Sequence, residues 1–276
     1  MDLYTTTSYK LSRDLTRAYS TSFSASIRLF SPELRLHISA IYGLVRIADE
    51  IVDTYDGPDQ RQLLDGLEHE TKAAIKRGYS PNPIVHAFAL TAKQYKITND
   101  LIVAFFKSMR MDLSPKFFTQ ELYETYIYGS AEVIGLMSLK VFTNDEILYR
   151  KLEKGAARLG AGYQKVNFLR DIDTDATGLG RWYFPNSSFE TFNEKIKDSI
   201  IKDIQKDFSA GEKAAYKLPQ SSQKAVLLSI AYYRALLDKI AKTPAETLKS
   251  KRIRINNAQK SALFLKAFSK RNNSAS

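Results

Sequence analysis

Apolar residues recur along this chain at intervals of three and four, the spacing that lines one side of an α-helix. The clearest run, SPELRLHISAIYGLVRIADEIVDTYDGP, opens with Ser31 as a helix cap and Pro32 at the first helical position, and it closes before Gly57-Pro58. The same periodicity predicts helices over 9–27, 60–76, 83–95, 99–110, 120–142, 145–175, 189–208 and 223–242, with a last one from about Asn256. DATGLGRWYFP reads as the long loop of the chain. No run alternates as a strand would, and no segment repeats another. With 12 Gly and 8 Pro in 276 residues, chain-breakers are scarce, which favours long helices over strands and turns. The expectation is one all-α domain over residues 1–270, with a frayed tail at 271–276.

Composition narrows the chemistry. The chain is 44% hydrophobic and 26% charged, enough apolar material for a large core. It has no cysteine, which excludes disulfides, thiolate metal sites and thiol nucleophiles. His37, His69 and His86 are scattered, with no second ligand at metal spacing. The start, MDLYTTTSYKLSRD, lacks a signal-peptide pattern, and AVLLSIAYY is far short of the ~20 apolar residues that span a bilayer. A cytoplasmic, soluble protein is expected. The net charge of +11 is concentrated late, in LKSKRIRINNAQK and KAFSKRNN. Nucleic acid, an anionic membrane surface and a polyanionic small substrate all suit that charge.

Two stretches decide among them. On a helix at about 100° per residue, YQKVNFLRDIDTD places Gln164, Asn167, Asp171 and Asp175 in one narrow stripe. Asp173 falls on the opposite side and Arg170 on a flank; Asp173 and Lys165 are read as the solvated face. YGLVRIADEIVD repeats the pattern, with Tyr42, Arg46, Asp49 and Asp53 aligned and Glu50 swung outward. Leu44, Val45, Ile47, Ile51 and Val52 around them imply a largely buried helix. Carboxylates facing each other in such a setting repel unless a cation lies between them, and hard divalent ions with oxygen ligands fill that role. A solvated acidic face, or ion pairs with Arg46, Lys165 and Arg170, is the alternative.

These residues resemble the squalene and phytoene synthases, head-to-head prenyl synthases with an all-helical isoprenoid-synthase bundle around an apolar cavity. YGLVRIADEIVD is similar to the family's first acid motif, and LGAGYQKVNFLRDIDTD followed by GRWYFP to its second. YIYGSAEVIGLMS resembles the small-residue segment between them, and the likeness runs from STSF to RIRINNAQK. The resemblance implies that Asp49 and Asp53 hold Mg²⁺ against one substrate diphosphate, and Asn167, Asp171 and Asp175 against the other, with Mn²⁺ as an alternative ion. Arg46, Arg170 and either Arg252 or Arg254 match diphosphate contacts. Tyr42, Tyr128, Gln164 and Tyr233 match polar positions of the reaction pocket, and Ser20, Ser22 and Phe23 match the S-x-S-F segment over the first diphosphate. Ala161 and Gly162 are small, as the family requires beside a bulky substrate. Two departures stand out: Thr21 where some members carry lysine, and Glu132 where a glycine is common.

The implied activity is phytoene synthesis from two geranylgeranyl diphosphates. Squalene or dehydrosqualene synthesis from farnesyl diphosphate is the alternative, and a non-catalytic binding member of the fold is a minor one. NADPH is expected only if squalene is the product. No nucleic-acid-binding module is recognisable, so the basic late segment is assigned to diphosphate contacts and to peripheral attraction to an anionic membrane.

Overall fold

In the computed structural model, which describes residues 1–20, 26–114 and 118–269, every regular element is a helix. They are α1 (Leu3–Tyr19), α2 (Pro32–Asp53), α3 (Gln60–Arg77), α4 (Pro83–Gln94), α5 (Asn99–Asp112), α6 (Gln120–Ile127), α7 (Val133–Thr143), α8 (Glu146–Arg170), α9 (Glu194–Ala215), α10 (Gln220–Ala241), α11 (Ala245–Leu248) and α12 (Asn257–Ser269). Residues 21–25, 115–117 and 270–276 lie outside the description; the first group includes Thr21, Ser22 and Phe23, and the last the expected tail.

Local chemistry sets most helix ends. Ser31 accepts from Leu34 N with Pro32 at the first position of α2, as its sequence predicts. Several bounds differ from expectation. The helix predicted over 9–27 begins at Leu3, because Asp2 accepts from Thr5 N at 2.8 Å and caps the threonine-rich first turn. The helix predicted from 189 begins at Glu194, capped by Asn193, while Phe189 and Phe192 pack around Trp182 instead. It continues to Ala215, beyond the expected end at 208.

Two long predicted helices are interrupted by π-turns. The span 120–142 contains a π-turn at Tyr128–Glu132, between α6 and α7. There Gly129 meets α5 so closely that a Cβ would lie 2.3 Å from Ala104 O, so only glycine fits. The span 145–175 ends as an α-helix at Arg170; Asp171 caps it, and a second π-turn covers Thr174–Gly178. Asp175 N still donates to Asp171 O at 2.9 Å, which keeps these two acids one turn apart despite the interruption.

α8 is the axis, packing on α7, the first π-turn, α9 and α10; α2 packs on α1, α3, α4, α5 and α7. α7 thus holds the two acid-bearing helices on either side of itself. One core cluster runs from Ile27 to Ile253, and Phe105, Phe106 and Phe208 at its centre are 1%, 0% and 0% exposed. Burial of each such side chain contributes about 1.5–3 kcal/mol. Among the described residues no helix is long and apolar enough to cross a membrane.

Candidate active site

The two stripes read from the sequence converge. On α2, Tyr42, Arg46, Asp49 and Asp53 follow one another at one-turn intervals. Burial, then the charges of Asp53 and Asp112, push Asp49 up to about 7. Asp175 is likewise pushed up to about 7, by burial, then by Asp171, with Asp53 and Asp112 adding to it from across the gap. Carboxylates from α2 and from the end of α8 therefore feel each other, as the phasing required.

Arginines answer this charge. Arg170 donates from Nε to Asp171 Oδ1 at 2.9 Å, and Arg252 Nε lies 2.8 Å from the same oxygen. Of the two basic candidates in RIRI, Arg252 makes the contact, while the Arg254 backbone carbonyl accepts from Lys239 at 2.7 Å. Arg46 pairs with Glu50 on its own helix, lies 3.9 Å from Asp49 Oδ2, and stacks 4.2 Å from the centre of the Tyr19 ring. Glu50 is thus an ion-pair partner rather than a free outward group.

Four residues went unassigned in the sequence reading. Arg181, only 8% exposed, donates to Asp53 Oδ1 at 2.6 Å, to Val52 O at 2.9 Å and to Asp112 O at 3.1 Å. Its own N–H donates to Asp175 O at 2.7 Å, so the one residue is tied to both acid motifs. Asp112, at the end of α5, accepts from Tyr126 Oη at 2.8 Å and from Tyr183 Oη at 3.1 Å. Burial pushes Asp112 up to about 6 although Arg181 and the two hydroxyls favour its charged form. Tyr183 stacks flat on Phe168 at 4.1 Å, which fixes GRWYFP against α8. Arg181 and Tyr183 stood in a segment already singled out. Asp112 carried no signal, being a lone acid with no second acid three or four residues away.

The remaining candidates divide. Tyr233 donates to Asn167 Oδ1 at 3.4 Å, stacks on Tyr163 at 4.0 Å, and is close enough to Tyr42 for their charges to interact. Burial pushes the Tyr42 hydroxyl up to about 12. Gln164 is half-buried on the stripe, and Ser20 ends α1 with its N–H on Thr16 O at 3.1 Å. Tyr128 is 40% exposed, and the carboxylates acting on it are Asp100 and Glu132 rather than those of the acid motifs. Ser22 and Phe23 lie outside the described residues.

Two expectations are corrected. Lys165 is not on a solvated face: it is 5% exposed and ion-paired to Asp203 and, at 2.7 Å, to Asp207 of α9. The buried acid Asp207 on the inward face of the amphipathic α9 takes the lysine that helical phasing alone sends to water. Gly162 is small for α9 rather than for a substrate, since a Cβ there would lie 2.8 Å from the Phe208 ring. Asp173 remains half-exposed, and Glu132 is half-buried, with Arg158, Asp207 and Lys165 as the charges around it.

Among the described residues, no three acidic or histidine side chains stand close enough together to enclose a metal ion by themselves. The donors nonetheless fit a hard divalent cation. They are carboxylate and amide oxygens from two facing elements, and burial, with neighbouring carboxylates adding to it, pushes Asp49 and Asp175 up. An ion completed by water and by phosphate oxygens needs only one or two carboxylates from each side.

Carboxylates from two facing elements, flanked by Arg46, Arg170 and Arg252 and by the buried Arg181, form the charged centre of this all-helical fold. The chain belongs to the squalene/phytoene synthase family, whose sequence pattern matches residues 16–259. It is 30% identical over 251 residues to phytoene synthase 3 of Zea mays, covering 82% of this chain and 58% of that protein. It is 28% identical over 243 residues to presqualene diphosphate synthase of Zymomonas mobilis, covering 81% of both. The chain thus spans less than two thirds of the maize protein, and likewise 58% of a phytoene synthase of an Oncidium hybrid. Its fold superimposes on a dehydrosqualene synthase with a TM-score of 0.82 at 18% identity, covering 96% of this chain and 97% of that one. A squalene synthase of Alicyclobacillus acidocaldarius gives 0.75 at 22% identity, covering 87% and 95%.

Proposed function

We propose that the chain is a phytoene synthase, a prenyltransferase that joins two geranylgeranyl diphosphates head to head and releases diphosphate. The observation that carries this is the charge that Asp53 on α2 exerts on Asp175 beyond the end of α8, added to burial and to Asp171, which brings the two acid motifs to one site. Two facing carboxylate sets suit two diphosphates, one for each substrate. Asp49 and Asp53 would hold Mg²⁺ on one side, and Asn167, Asp171 and Asp175 on the other. When bound, the ions would neutralise the diphosphate charge and make it a competent leaving group.

The chain's own groups do the rest. Arg46, Arg170 and Arg252 place guanidinium charge where the departing diphosphate collects its electrons. Departure of the first diphosphate leaves an allylic cation, which the double bond of the second substrate attacks to give a cyclopropylcarbinyl diphosphate and release one proton. Loss of the second diphosphate, rearrangement and loss of a further proton give the hydrocarbon. Tyr42, Gln164 and Tyr233 supply neutral polar contacts beside the cations, and the high value at Tyr42 keeps its hydroxyl un-ionised through the neutral range. The aromatic wall of Phe168, Tyr126 and Tyr183 excludes water from the same region.

A second reading, with farnesyl diphosphate as substrate, is supported by the fold likeness to a dehydrosqualene synthase and by the presqualene diphosphate synthase relative. Incubation with either diphosphate and Mg²⁺, with and without NADPH, and identification of the hydrocarbon separates the two. Phytoene from the longer substrate without NADPH is the expected result. A C30 hydrocarbon from the shorter one overturns the choice of substrate, and no turnover of either overturns the catalytic reading.

A further inference from the structure

A second charged hollow lies away from the acid motifs, between α1 and the first turns of α2. Helical spacing puts Arg13 and Arg17 on one side of α1, and Arg35 and Ser39 on one side of α2. Arg28 closes the gap between the two helices, and the cavity they line has a volume of about 300 Å³. Glu33 is its one acidic lining residue against four guanidinium groups. The pairing of these arginines is weak. Arg17 Nη1 makes a long hydrogen bond to Asp14 Oδ1 at 3.5 Å, Arg13 Nε lies 3.9 Å from the same oxygen, and Arg35 Nε donates to the Phe30 carbonyl, which carries no charge.

Ser39 supplies the second, independent observation. It is 0% exposed, it lines the cavity, and its Oγ has no hydrogen-bond partner; Arg13 Nε is likewise buried and without one. Buried donors left unsatisfied are costly, so a wall bearing several of them beside a surplus of positive charge is complementary to an anion with many acceptor oxygens. Ile27 and Leu36 add apolar surface, on which the organic part of an ester can rest. Ser39 stands ten residues before Asp49 on α2, about 15 Å along the axis, so the hollow does not share the acid cluster.

We propose that this cavity is a second anion site that takes a phosphate or diphosphate group, free or as the head of a lipid, and takes it without a metal ion. The distinction from the acid cleft is electrostatic: aspartates repel an anion unless cations intervene, whereas guanidinium groups attract it directly.

The test uses the full chain in EDTA, which silences any metal-bridged binding. Titration calorimetry with inorganic diphosphate probes the soluble source, and co-sedimentation with phosphatidic acid vesicles, against phosphatidylcholine alone, probes the lipid source. Arg17→Gln/Arg28→Gln should weaken whichever probe binds by on the order of tenfold for each guanidinium removed. Ser39→Ala should weaken it severalfold with its melting temperature preserved. Diphosphate binding lost in the double variant assigns a soluble anion, and vesicle binding alone, lost in the same variant, assigns a lipid headgroup. No saturable binding of either probe, or binding that the double variant leaves unchanged, overturns the proposal. Should the double variant melt early, Arg17→Gln alone carries the same comparison.

Discussion

Lys165→Met removes the one cation wholly enclosed between α8 and α9. In the native protein Lys165 Nζ lies 2.7 Å from Asp207 Oδ2, with the two side chains 7% and 3% exposed. Asp203, the second partner, is 52% exposed and can return to water when the lysine is gone. Asp207 cannot. Its remaining cation is Arg158, 3.3 Å away but 59% exposed and well hydrated. Removing one member of a buried pair costs about 3–5 kcal/mol, and the residual Arg158 contact favours the lower end, about 3 kcal/mol. At about 2–4 °C per kcal/mol for a chain of this order of size, the melting temperature should fall by roughly 6–12 °C. Thermal and urea unfolding followed by circular dichroism would measure it, with an unchanged urea slope marking a change in stability alone. Adding Asp207→Asn should restore at least 1 kcal/mol, because the stranded charge is then gone. A single-variant loss below about 1 kcal/mol, or a double variant less stable than Lys165→Met, refutes the buried-pair reading. The consequence reaches the site, since Lys165 stands two residues before Asn167, which accepts from Tyr233, and its anchorage to Asp207 fixes the rotation of α8 there.

Arg181→Gln strands Asp53 and Asp112 and should cost about 3 kcal/mol in unfolding titrations, whereas Arg181→Lys, which keeps the charge but loses the fork, should cost about half as much; equal losses would show that charge is not the operative property. Asp49→Asn should lower diphosphate release by roughly a hundredfold or more on the proposed reading, while Asp173→Asn should stay within about twofold of wild type, and the reverse order would show that the stripe faces the other way. Burial lowers His37 from 6.5 to about 4, with Glu33 acting against it and Thr91 2.9 Å from Nδ1. The unfolded chain therefore takes up this proton before the folded one does, and the His37 contribution is intact above pH 6.5 and lost as pH falls toward 4. A histidine NMR titration should show a midpoint near 4, and a midpoint near 6.5 would show that the ring is open to water.

The chemistry in the sequence was legible wherever it obeyed a helical period. Gln164 and Asn167 sit on one unbroken stretch of α8 and Asp171 caps its end, so the helical period read from the sequence carries through to this point without knowledge of any neighbour. Asp175 kept its place only because the Asp175–Asp171 backbone bond preserves the one-turn spacing through a break that phasing cannot foresee. What phasing could not reach was contact between elements distant in the chain. Lys165 looked solvated because nothing within four residues marks Asp207, 42 residues later, as its partner. Asp112 and Arg181 are 69 residues apart and meet only because GRWYFP folds back over the end of α5. Helix ends failed for a smaller reason: Asp2 and Asn193 are ordinary caps whose neighbours, TTT and SSFETF, mask the start of the apolar period.

The arginines also explain which acids carry the strain. Asp171 is held by Arg170 and Arg252, and Asp53 and Asp112 both face Arg181. Asp49 has only Arg46 at 3.9 Å, and that guanidinium is drawn away by Glu50. Burial first, and then neighbouring carboxylates, push Asp49 and Asp175 up to about 7, one from each motif, and the charge of Arg181 offsets this only in part. Proteins do not retain facing buried carboxylates for stability, because apolar residues of similar volume would cost less. The two raised acids instead mark where added positive charge gains most. Arg252 is 44% exposed and Arg181 only 9%, so the two can respond differently when an anion arrives. On the proposed function, the exposed Arg252 would swing from Asp171 to a diphosphate, whereas Arg181, bonded to Val52 O and Asp112 O as well, holds the two motifs together.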